Sequence, residues 1–115
     1  MTGPQHRELA SGRWWSLSIA EQLGNVGSEI SRAARWSSRE PQRSEAALHR
    51  ALELIDLTLD DPRHRISVER LREIARLREV VVDFFAGPNQ YRSSAASLQK
   101  YLDAYAVAAR RTVSR

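Results

Sequence analysis

The chain has 115 residues, a formal net charge of +4 and no cysteine. This length is typical of one domain, and it suffices to bury about two-thirds of the unfolded surface. The lack of cysteine excludes disulfides and thiolate metal sites, which fits a reducing compartment, and no apolar run approaches the roughly 20 residues of a membrane span. Because the N-terminus also lacks the apolar region of a signal peptide, we expect a cytoplasmic protein with no membrane partner.

The basic residues are almost all arginine, since Lys100 is the only lysine among 18. Arginine suits phosphate recognition and buried ion pairs. The same bias arises from a GC-rich genome, so the basic excess is weak evidence for nucleic acid.

Residues 1–13 are predicted to form a flexible tail, and residues 14–115 a single domain. The first helix is predicted over residues 14–36, because apolar residues recur there at steps of four, four, three, four and three. This apolar seam consists of Trp15, Ile19, Leu23, Val26, Ile30 and Ala33.

The predicted first helix has two further uncharged or mixed sides. One carries Trp14, Ser18, Asn25, Glu29, Arg32 and Trp36; the other is small, with Ala20, Gly24, Gly27, Ser28 and Ser31. A helix that served one core would carry a charged outer face, so we expect this helix to meet protein on more than one side. The predicted interface for a partner or a second copy consists of Gly24, Gly27, Ser28, Ser31, Trp14 and Trp36.

Three more helices follow in the sequence. Ser44 is the predicted N-cap of the second, which the Asp61–Pro62 pair ends. Ser67 is the predicted N-cap of the third, with Ile66 and Leu71 at the spacing of a hydrophobic staple.

The third helix is predicted to end at Gly87–Pro88, with the glycine in the left-handed conformation. A fourth helix is predicted to begin near Ser93 or Ser94, with an apolar face of Leu98, Leu102, Tyr105, Ala109 and Val113. Four helices with short connections predict an all-α fold, an antiparallel up-down-up-down four-helix bundle.

Arg78 lies inside the apolar arc of the third helix, where a charge must be paired or it costs several kcal/mol. The candidate partners are Glu29 and Asp56, and we expect Arg78 to be substantially buried against one of them. The alternatives are an ion pair at the edge of the core, or an arginine whose head group reaches solvent.

Other charged groups are better explained as solvated faces. His49, Glu53, Asp56 and Asp60 share one side of the second helix, but their spacing differs from the Glu-x-x-His of di-iron bundles, so no metal site is predicted. The charges at Arg72, Arg76, Glu79 and Asp83 lie opposite the apolar seam of the third helix.

Arg43 and His49 fit the R-x(4–6)-H spacing of the helical RNases called HEPN domains. In that family, as the resemblance implies, the arginine and histidine act on the 2′-hydroxyl and phosphate of RNA. About one such match is expected by chance in a chain so rich in arginine, and Arg43 precedes the predicted helix cap. We therefore expect no RNA cleavage.

Three segments resemble a family of small prokaryotic helical-bundle proteins: QLGNVGSEISRAARW (22–36), ALHRALELIDLTLDD (47–61) and LREIARLREVVVDFFAGPNQY (71–91). With the closing KYLDAYAVAAR (100–110), the resemblance covers most of the chain. It rests on N-x-G-S-E, R-A-L-E-L-x-D, R-E-x-x-x-D and N-x-Y, and it departs at His49, where an aromatic residue is expected. It implies no activity, but it groups one polar cluster: Asn25, Glu29, Arg32, Arg50, Asp56, Arg78, Asn89 and Tyr91.

These observations predict no catalytic residue and no cofactor. The main hypothesis is a non-enzymatic helical module that binds a protein partner, associates with itself, or both, through the first helix. One alternative is a nucleic-acid-binding accessory protein that uses the Arg63–His64–Arg65 loop and the Arg110–Arg111 pair. The other is a HEPN-like RNase.

Overall fold

The structure is a computed structural model that describes residues 11–113, except the side chains of 105, 106 and 108–113. It confirms the all-α prediction, since four long helices pack together and residues 11–113 contain no strand. The elements are α1 (Ile19–Trp36), α2 (Pro41–Leu59), a 3₁₀ helix (Pro62–Ile66), α3 (Val68–Ala86) and α4 (Ala95–Val113). None of the helices in this described range is both long and apolar enough to cross a bilayer. Most of the predicted tail, residues 1–10, lies outside the described residues.

The first long helix begins later than the sequence indicated. Residues 11–14 form a separate helical turn, and α1 starts at Ile19. The reason is a capping box: the Ser18 hydroxyl accepts a hydrogen bond from the Glu21 backbone N–H at 3.1 Å, and the Ser18 N–H donates to the Glu21 carboxylate at 3.0 Å. Trp14 and Trp15 therefore precede α1 instead of belonging to its faces.

Helix α1 lies between α2 and α4 and meets both. Its apolar seam is buried through Val26, Ile30 and Ala33. On its small side, a Cβ added to Gly27 would lie 3.0 Å from the Leu102 Cβ of α4. The helix thus meets protein on more than one side, as expected, but the protein on both sides is its own chain.

Helix α2 starts at Pro41, not at Ser44 as predicted. Proline is favoured in the first turn of a helix because its missing N–H is not needed there. Ser44 instead lies inside the helix, is buried, and donates its hydroxyl proton to the Ala33 carbonyl at 2.6 Å. It therefore joins α2 to α1. The predicted end is confirmed, because Asp60 follows the last residue of α2.

The start of α3 is partly as predicted. The Ser67 hydroxyl accepts a hydrogen bond from the Arg70 N–H at 3.2 Å, which confirms the cap. The hydrophobic staple is wrong, because Ile66 is 89 % exposed and cannot cover Leu71.

The end of α3 uses a different residue from the one predicted. Gly87 has φ −105, and the left-handed residue is Asn89 with φ 56. Glycine is needed for space instead, since a Cβ at Gly87 would lie 3.1 Å from the Asp83 Cα. Asn89 tolerates the left-handed conformation because its side chain bonds locally.

The core gathers apolar side chains from all four helices, and α4 contributes Leu98 and Leu102. Of its predicted apolar face, the side chains of Tyr105, Ala109 and Val113 lie outside the described residues. Ser94 immediately precedes α4, and its hydroxyl accepts from the Ser97 N–H at 3.0 Å, so the predicted start is confirmed.

Candidate functional site

The predicted polar cluster does not form one site. Glu29 is buried on α1 and accepts hydrogen bonds from two arginines: Arg32, at 2.6 Å, and Arg50 of α2. This triad joins α1 to α2 at the core edge, and both arginines reach solvent. Such an arrangement stabilises helix packing and leaves no unpaired group for chemistry.

Arg78 pairs with Asp56 across α3 and α2, with 2.8 Å between Arg78 Nε and Asp56 Oδ1. The partner is one of the two expected acids. The expected burial is wrong, because the two side chains are 41 % and 44 % exposed. The aliphatic stem of an arginine can cover apolar surface while its head group stays in water.

The remaining members of the predicted cluster have local roles. Asn25 is exposed and donates to the Glu21 carbonyl of its own helix at 3.0 Å. Asn89 exchanges two hydrogen bonds with the Ser93 backbone and holds the loop between α3 and α4. Tyr91 donates its hydroxyl proton to Glu79 at 3.0 Å, a bond that raises the pKa of the phenol.

The predicted interface residues lie in different environments. Gly24, Gly27, Ser28 and Ser31 line a polar cleft between α1 and α4, where Gly27 is buried and Ser28 is exposed. Trp14 is buried as well, and it donates its indole N–H to the Thr58 hydroxyl at 2.8 Å. The prediction that Trp14 belongs to a surface interface is therefore wrong.

Trp36 lies at the turn between α1 and α2, where two arginines cover it. The guanidinium carbons of Arg39 and Arg43 lie 5.8 and 4.9 Å from its ring centroid. These contacts are cation–π interactions, and they are local to the turn.

The structure reveals a buried polar network that sequence reasoning missed. Gln22, Asp61 and His64 are 0 %, 0 % and 1 % exposed. The Gln22 side-chain amide donates to the Asp61 carboxylate and to the Trp14 carbonyl, each at 3.0 Å. Its oxygen lies 2.8 Å from His64 Nε2, so His64 donates from this nitrogen. The network ties α1 to the 3₁₀ helix.

Arg63 closes the network from the solvent side. Its guanidinium donates to the Asp61 carboxylate, with a shortest distance of 2.6 Å, and to the Leu17 carbonyl, also at 2.6 Å. The Arg63 backbone N–H bonds the same carboxylate at 3.0 Å, so Asp61 is also the cap of the 3₁₀ helix. One carboxylate therefore fixes both the conformation of the turn and its position on α1.

The electrostatics of the network follow from its bonds. Burial alone would raise the pKa of Asp61, but hydrogen bonds from Arg63 and Gln22 outweigh it and lower the pKa to about 2. Burial lowers the pKa of His64, against the attraction of Asp61. Folding thus favours the neutral form of His64, and its Nδ1 has no hydrogen-bond partner among the described residues.

The sequence carried one signal of this network. Gln22 lies three residues after Ile19 and four before Val26, a polar residue on an apolar side of the first helix. The sequence presents Asp61 as a helix end and His64 as part of a basic loop.

The last residue of the turn held by this network and the first residue of α3 display apolar side chains to solvent. Ile66, its last residue, is 89 % exposed, and Val68 is 61 % exposed. We call these two residues the apolar knob. Monomeric proteins expose single apolar residues commonly, but these two lie beside one of the most buried polar groups of the chain.

The HEPN-like pair does not form a site. Arg43 lies inside α2, contrary to the prediction, and its guanidinium is 3.5 Å from Glu40. His49 Nε2 is 3.9 Å from Glu45, and both pair members are largely exposed. Arg43 and His49 therefore have separate acidic partners.

The nucleic-acid alternative loses part of its basis. Of the Arg63–His64–Arg65 loop, Arg63 is bound to Asp61 and His64 is buried. The side chains of Arg110 and Arg111 lie outside the described residues. Among the described residues, no group of three or more His, Cys, Asp or Glu is placed to hold a metal ion.

Comparisons with protein-family models, with curated proteins and with solved structures find no match for this chain. Function must therefore be argued from the surfaces and networks of the molecule itself.

Proposed function

We propose that this chain is a non-enzymatic helical module that binds protein through the turn that joins α2 to α3. The observation that carries the proposal is the contrast in burial across this turn. Asp61 and His64 are 0 % and 1 % exposed, whereas Ile66 between them and α3 is 89 % exposed. The proposal thus places the surface of contact at the apolar knob.

The buried network is costly unless every polar group in it is bonded, so it contributes a defined conformation more than hydrophobic stability. Here that conformation is a surface turn. A turn fixed before binding loses less conformational entropy on association. Burying one aliphatic side chain such as Ile66 in a partner is worth about 1.5–3 kcal/mol, which suits a weak or moderate contact.

The partner of such a knob is an apolar pocket with an acidic rim. Arg65 precedes Ile66, and its side chain is largely exposed, 3.9 Å from Asp60. The whole chain carries +4. Charge complementarity of this kind raises the rate of association and selects against basic surfaces.

The proposal includes the antiparallel up-down-up-down order of the bundle, which the short connections between successive helices favour. It also includes a cytoplasmic setting, which the lack of cysteine favours, and a prokaryotic source, which the resemblance of the three quoted segments implies.

The test is a photo-crosslinking amino acid placed at position 66 in cells that make the protein. We expect a defined covalent adduct whose protein component is identified by mass spectrometry, and which is lost when Val68→Asp is added. Position 72, an exposed site on α3, is the control. No adduct at 66, or the same adducts at 66 and 72, would contradict the proposal.

A further inference from the structure

A second apolar surface lies between α3 and α4. These helices approach each other less closely than α1 approaches α2 and α4. The resulting groove has a volume of about 210 Å³ and is lined by Leu77, Val80 and Leu98 among others. A groove of this size and lining admits a branched aliphatic side chain.

The rim of the groove is charged and ordered. Glu73 and Arg76 line it on the α3 side, and Tyr101 lines it on the α4 side. The Tyr101 hydroxyl donates to the Glu73 carboxylate at 2.9 Å, which fixes the position of both side chains. The carboxylate of Glu73 and the guanidinium of Arg76 therefore both stand at the edge of an apolar opening.

These features match the partner inferred for the knob. The knob needs an apolar pocket with an acidic group near the place that Arg65 would reach, and the groove offers both, with Glu73 as the acid. One chain thus carries a projecting apolar surface flanked by the largely exposed guanidinium of Arg65, and a receiving apolar surface edged by the carboxylate of Glu73.

We propose that the occupant of the groove is a second copy of this chain, whose Ile66 and Val68 enter between α3 and α4 while Arg65 approaches Glu73 of the first copy. This inference rests on the proposed function and names its partner. The two surfaces are different, so each copy inserts its apolar knob into one neighbour and accepts the knob of another copy in its groove. Such a contact closes into a reciprocal dimer or a ring, or it extends along a chain of copies.

The test is analytical ultracentrifugation of the full chain over a wide range of concentrations. We expect the average mass to rise above the 13.1 kDa of one chain as concentration increases. Ile66→Asp removes the knob, and Val80→Phe fills the groove, so each variant alone should stay at the mass of one chain. Because each retains the surface that the other lacks, an equal mixture should recover association.

Circular dichroism checks that both variants keep their helices. If Val80→Phe loses its helices, Ser97→Leu serves as a second variant that fills the groove. Arg72→Asp, on an exposed part of α3, is the control that should associate as the wild type does. Three outcomes would each overturn the inference. They are a wild type that keeps the mass of one chain at every concentration, association of either variant in the absence of the other, and a mixture of the two variants that does not associate. If the crosslink at position 66 then captures a different protein, the proposed function stands and only self-association fails.

Discussion

Asp61 should contribute to stability through its charge, and Asp61→Asn isolates that charge with little change in shape. The pKa of Asp61 falls from 3.8 to about 2 in the folded protein. A lowering of nearly two units corresponds to about 2 kcal/mol of folding free energy at pH 7, since one unit is about 1.4 kcal/mol. The asparagine also presents N–H groups to Arg63, so the loss at neutral pH should reach or exceed this value.

The dependence on pH gives this prediction its specificity. A carboxyl whose pKa is lower in the folded state stabilises the protein above its unfolded pKa, and this contribution is lost as pH falls through the folded value. The difference between wild type and Asp61→Asn should therefore be full above about pH 4 and shrink between pH 4 and pH 2.

The assay is urea unfolding followed by circular dichroism at pH 7, 4.5 and 2.5, since the midpoint reports stability when the slope is unchanged. Asp60→Asn is the matched control, because its carboxylate is largely exposed and 3.9 Å from Arg65; it should cost under about 1 kcal/mol. Equal losses for the two variants, or a loss for Asp61→Asn that stays constant from pH 7 to pH 2.5, would refute the reasoning.

Three further predictions concern single residues. Because burial lowers the pKa of His64, the folded state favours the neutral imidazole. The free energy of unfolding should therefore fall as pH drops below 6.5, the usual pKa of histidine. In unfolding experiments at several pH values, His64→Gln should make this fall smaller. Gly27→Leu should cost about 1–3 kcal/mol in thermal or urea unfolding, because its side chain would meet Leu102 of α4, whereas Gly12→Leu, with nothing within 4 Å, should cost little. Arg78→Met should cost under about 1 kcal/mol, because its ion pair is over two-fifths exposed; a loss of several kcal/mol would show a buried pair instead.

Much of the helical content could be read from the sequence because helix formation leaves local signals. The apolar repeat through Val26 and Ile30 located α1, and the Ser67 cap located the start of α3. The boundary errors are local as well: the capping box of Ser18 and the proline at position 41 set the observed starts of α1 and α2.

The polar network could not be predicted in the same way because its members are far apart in sequence. Gln22 and Asp61 are separated by 39 positions, so only the fold shows that they meet. The opposite error occurred for the predicted polar cluster, where residues grouped by a shared pattern, such as Asn25 and Tyr91, have separate local partners. A shared sequence pattern does not give the distances between its residues.

The triple use of Asp61 limits where this chain can change in length. Its carboxylate binds α1, caps the 3₁₀ helix and holds Arg63, so residues added or removed between α2 and α3 would separate groups that must meet at one point. The turn at residues 37–40 is held mainly by backbone bonds to the Trp36 carbonyl and carries exposed side chains. That turn is where inserted sequence, or an attached domain, would leave the rest of the molecule undisturbed.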